Sequence, residues 1–72
     1  MMSEEERIKI LSKHLPKYYL DIYLYVLYED VNYLPSSLKR EGRRKVKQVE
    51  LNKEIAILSV LLARTVLDLE EV

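Results

Sequence analysis

Cysteine, tryptophan and phenylalanine are missing from this 72-residue chain, and glycine and histidine occur once each. Without cysteine no disulfide can staple the fold. With His14 as the one imidazole and no thiolate, the soft ligands for a structural zinc are too few, so neither a metal nor a cofactor is expected. A single glycine, Gly42, rules out a glycine-rich phosphate loop. No apolar run reaches the roughly 20 residues that span a bilayer, so no membrane partner is expected. Glu4, Glu5 and Glu6 stand where a secretory leader would carry basic residues before an apolar stretch, which predicts a cytoplasmic protein.

Catalytic groups are equally scarce. A Ser-His-Asp arrangement would have to use His14, which sits near the end of a predicted helix, where a positive or dipolar group is favoured. The carboxylate pairs Glu29-Asp30 and Glu70-Glu71 are adjacent in sequence and point in different directions on a helix. No catalytic residue is assigned, no small-molecule substrate is expected, and the chain reads as a non-enzyme.

What remains is apolar and charged. Hydrophobic residues make up 49% and charged residues 33%, with twelve cations balancing twelve anions. Abundant Glu and Lys with few thermolabile side chains is a pattern of proteins from hot environments. A chain this short buries only about 60% of the surface it exposes when unfolded, and small scaffolds usually need a disulfide, a metal or a partner chain. With the first two excluded, a partner chain is expected.

The pattern predicts one all-α domain over 1–72, with helices at about 4–14, 16–34 and 43–69 and a linker at 35–42. Ser3-Glu4-Glu5-Glu6 matches a capping box. Pro16 suits the first position of a second helix. In that helix Leu20, Leu24, Leu27, Val31 and Leu34 form one seam, and Leu15, Tyr19, Ile22, Val26 and Tyr33 a second stripe. A strand over 22–28 is rejected because the apolar stretch is too long and contains no turn residues. Gly42 suits a left-handed position at a helix end. In the third helix Leu51, Ile55, Leu58, Leu62, Val66 and Leu69 form a tight stripe, with Val46, Val49, Ile57, Val60 and Leu67 opposite.

Two long helices joined by a short linker fold back as an antiparallel hairpin. Each then has one apolar stripe for the other and one left over, and a contiguous exposed patch marks an interface. The expected interface residues are Tyr25, Tyr28, Val49, Ile57, Val60 and Leu67. Tyr25 and Tyr28 lie in the polar wedge of the second helix, and tyrosine is enriched where proteins meet. The partner, a second copy or another protein, would complete a bundle.

Zero net charge conceals a local imbalance. Residues 1–34 carry a balance of −2, residues 35–53 of +5 and residues 54–72 of −3. The candidate nucleic-acid contacts are Lys39, Arg40, Arg43, Arg44, Lys45 and Lys47. Cations at the start of a helix face the positive end of its dipole, and that conflict points to a target outside the helix, such as DNA phosphates. A solvated basic surface is the bland alternative. A helix-turn-helix over 30–45 lacks the usual turn spacing.

The tyrosine-rich second helix, the 39–47 basic run and the acidic ends resemble the small accessory subunits of the B-family replicative DNA polymerase of thermophilic crenarchaea. The resemblance spans the chain on generic features and implies a non-enzymatic protein that binds the polymerase and helps hold it on DNA. The leading expectation is therefore a helical accessory subunit of a nucleic-acid-processing assembly. The alternatives are a homodimeric DNA-binding protein using the 39–47 patch, or a helical scaffold or viral interaction protein without a nucleic-acid role.

Overall fold

The computed structural model of the chain describes residues 2–41, 47–49 and 51–70. The fold is all-α in its body: α1 (Glu4–His14), α2 (Lys17–Tyr28) and α3 (Lys53–Glu70) pack on one another. Between α2 and α3 lie two 3₁₀ turns, Val31–Tyr33 and Ser36–Leu38, and a small antiparallel ribbon of β1 (Lys39–Glu41) and β2 (Lys47–Val49).

Local chemistry sets the helix ends. Ser3 Oγ accepts from the Glu6 amide at 3.2 Å, and Glu4, Glu5 and Glu6 occupy the positive first turn of α1. Leu15 and Pro16 are extended, as the residue before a proline and the residue before a helix tend to be. The second helix, expected to run to residue 34, ends at Tyr28. Glu29 closes it in the left-handed region (φ 55°, ψ 34°), its amide donating to the Tyr25 carbonyl. Asp30 then accepts from the Asn32 amide at 3.0 Å, a local bond that diverts the backbone into the first 3₁₀ turn.

The third helix, expected from residue 43, begins at Lys53. Asn52 Oδ1 accepts from the Glu54 amide at 2.8 Å, the bond that an N-cap residue makes. The expected linker over 35–42 instead holds the second 3₁₀ turn and β1, and β2 occupies residues once assigned to helix. In the ribbon Lys39 pairs with Val49, Arg40 with Gln48 and Glu41 with Lys47. The expected left-handed Gly42 lies outside the described residues.

The core is a cluster of Leu11, Leu15, Leu20, Tyr23, Leu24 and Ala63, with Ile8, Tyr28, Val60, Leu62, Val66 and Leu67 packed around it. Ile22 and Leu34 are buried as well. The inward line of α3 is neither of the two expected stripes. Its fully buried residues are the small Ser59 and Ala63, while Leu58 and Leu69 of the expected inner stripe are exposed. Small residues let helix axes approach closely, and the larger neighbours on either side then flank the contact. Ser59 Oγ is satisfied within the helix, donating to the Ile55 carbonyl at 2.8 Å. The second seam of α2 is split likewise: Ile22 is buried, while Val26 and Tyr33 are exposed.

Two stability predictions follow from this geometry, both read by urea denaturation. Ala63→Leu forces extra carbons into the closest helix contact and should cost about 1–3 kcal/mol; no loss would mean that α3 does not sit where Ala63 puts it. Glu29→Gly removes a Cβ penalty in the left-handed cap and should add about 0.5–1 kcal/mol; destabilisation would contradict the left-handed ending of α2.

Candidate interaction surfaces

With Ser59 and Ala63 turned inward, the N-terminal half of α3 shows apolar side chains to solvent. Ile57 is 59% exposed, Leu61 57% and Leu58 43%. On the neighbouring helix Val26 and Leu27 are exposed too. Val26, Ala56, Ile57, Val60 and Leu61 line an open apolar groove of about 250 Å³ between α2 and α3. Exposed groups of this kind are normal one at a time and informative only when contiguous; here one groove joins Val26, Ile57 and Leu61. Farther along the same side of α3 come Arg64, Thr65 and Asp68, all exposed.

The expected interface residues divide. Ile57 is exposed on this face, and Val60 reaches both the groove and the core. Leu67 is half-buried against the core on the inner side. Tyr25 is half-buried, and Tyr28 packs on the core and stacks with Tyr33 at a ring separation of 5.2 Å. Val49 lies on β2. Leu61, Leu58 and Val26, the residues that make the face contiguous, were absent from the sequence-derived set. For Leu61 the signal is a seam on α3: Glu54, Ile57, Leu61 and Arg64 follow one another at spacings of three, four and three.

The basic segment forms the second surface. Lys39, Arg40 and Lys47 lie on the paired strands of the ribbon, and Arg43, Arg44 and Lys45 lie outside the described residues. Among the described residues the ribbon packs chiefly on itself and on the Ser36–Leu38 turn. Lys39, Arg40 and Lys47 thus lie on strands and not in the first turn of α3, which holds Lys53 and Glu54. A strand pair has almost no net dipole to oppose them.

An open cleft of about 490 Å³ lies between Lys17, Tyr18 and Asp21 of α2 and the Tyr33–Pro35 stretch. Near the junction of α1 and α2, His14 Nε2 and Glu70 Oε1 stand 3.0 Å apart, both nearly half exposed. Their pairing sets the C-terminal ends of α1 and α3 side by side and places a donor against the carboxylate that ends α3. Among the described residues no group of three or more His, Asp or Glu side chains could hold a metal, and no helix is long and apolar enough to cross a membrane.

Compared with protein-family models, curated proteins and solved structures, the chain matches none.

His14 has one partner, at the surface, so its loss should be mild. His14→Ala is expected to change the unfolding free energy by less than about 1 kcal/mol, the range of exposed ion pairs. A urea titration giving a loss several times larger would show that the His14–Glu70 contact locks α1 to α3.

Proposed function

We propose that this chain is a non-enzymatic accessory protein of a nucleic-acid-handling assembly, in which the basic ribbon contacts backbone phosphates. One observation carries the reading. The pairing of Lys39–Glu41 with Lys47–Val49 folds back on itself a segment holding six of the twelve cations. A two-stranded ribbon is narrow enough to enter the major groove of duplex DNA. Arginine and lysine on it neutralise phosphates and release the counterions condensed around them, a gain that needs no base contacts. Binding of this kind is modest and independent of sequence, which suits a protein that assists a larger machine. A place beside a replicative polymerase, the assembly implied by the resemblance, is one such context.

A helical scaffold with no nucleic-acid role is the second reading, and the exposed face of α3 favours it. The two differ in their salt dependence. By fluorescence anisotropy with a labelled duplex, phosphate contact by three to five cations gives a slope of log K against log salt of roughly −3 to −5. Arg40→Glu with Lys47→Glu should weaken binding and flatten that slope by about two. Affinity that ignores both salt and these substitutions would leave the scaffold reading standing and remove the nucleic-acid one.

A further inference from the structure

We infer that the exposed face of α3 is the contact between two copies of this chain, packed antiparallel about a two-fold axis near Ser59. The area calls for a partner. A compact monomer of this mass exposes about 4,700 Å², whereas this chain, at 8.6 kDa, exposes 5740 Å². The excess is roughly 1,000 Å², against about 800 Å² that each partner contributes to a standard-size interface. Ile57, Leu58, Leu61, Val26 and Leu27 are among the large apolar side chains left exposed.

The order of residues along the seam identifies the occupant. Glu54, Ile57, Leu61 and Arg64 have the alternating three- and four-residue spacing of a coiled-coil seam. In an antiparallel pair the layers join residues placed symmetrically about the centre. Ile57 then meets Leu61 of the second copy, Leu61 meets its Ile57, and at both ends Glu54 meets Arg64. A parallel pair would instead set Glu54 against Glu54 and Arg64 against Arg64, so the charges select one orientation. Among the described residues the side chains of Glu54 and Arg64 form no ion pair within the chain. Ten residues apart, they stand about 15 Å from each other along the helix and cannot pair there. Asp68 falls past the start of the second copy's helix. The Val26 edge of the groove borders the same seam, so α2 and α3 of the two copies make a four-helix layer.

This pairing is independent of the nucleic-acid reading, and charge reversal tests it. Sedimentation equilibrium over a micromolar concentration series should show a dimer for the unaltered chain. Leu61→Glu should give a monomer. Glu54→Arg alone, and Arg64→Glu alone, each set like charges together in two symmetric layers and should weaken dimerisation by roughly tenfold. The double variant, E54R with R64E, restores opposite charges in both layers and should return the dimer to within about threefold of the original. A misfolded single variant could not be rescued by a second exposed change, so the rescue itself is the decisive reading. A monomeric parent chain, or a double variant no stronger than the singles, would overturn the proposal. A monomer whose α3 face then binds an unrelated protein would do the same.

Discussion

Ala63 and Ser59 govern how α3 can lie against the other two helices. Both are fully buried, and Ala63 belongs to the cluster formed by Leu11, Leu15, Leu20, Tyr23 and Leu24. A large side chain at either place would hold the axes apart and turn α3 about its own length. With small residues there, Leu62 and Val66 flank the contact on one side and Val60 and Leu67 on the other. That rotation settles the fate of every remaining residue of α3. Ile57, Leu58 and Leu61 face outward because Ser59 and Ala63 face inward.

Size keeps the molecule from covering what this rotation exposes. α1 has 11 residues and α2 has 12, so their combined inner surfaces match one side of the 18-residue α3 and no more. A longer chain would add a fourth element on the outer side. Here the chain between α2 and α3 goes into 3₁₀ turns and a ribbon that packs chiefly on itself. Apolar area therefore stays at the surface as a consequence of helix count and length, with no need to invoke any special property of those leucines.

Much of the helical body is legible in the sequence because its signals are local. Ser3 with three glutamates announces α1, and Pro16 announces α2. The ends that escape notice are those with atypical residues. Glu29 takes a left-handed cap usually given to glycine, so an apolar pattern continuing through Val31 and Leu34 reads as more helix. Asn52 caps α3 inside a stretch where Val46, Val49 and Leu51 still fit a helical period, and the basic residues before it look like a first turn. The electrostatic conflict of cations at a helix start is visible in the sequence; α3 starts at Lys53, after the 39–47 run, which leaves one cation beside Glu54 in its first turn. Periodicity locates two apolar stripes on the expected third helix but cannot rank them. The inward line falls between them, on small residues that carry little weight in any hydrophobic pattern.

The same segregation gives the two surfaces opposite responses to salt. Acidic residues stand in the first turns of α1 and α3, in α3 beside Lys53, while half of the cations fall in the 39–47 segment. Contacts made by those cations weaken as ions screen them beyond a Debye length of about 8 Å at physiological ionic strength. The groove between α2 and α3 is lined by Val26, Ala56, Ile57, Val60 and Leu61 and carries no charge, so ions leave its burial largely untouched. Only the Glu54 and Arg64 positions at the margins of the α3 face feel both effects. Under the two proposals the apolar contact holds at salt concentrations that release the basic one, so one attachment can persist while the other cycles.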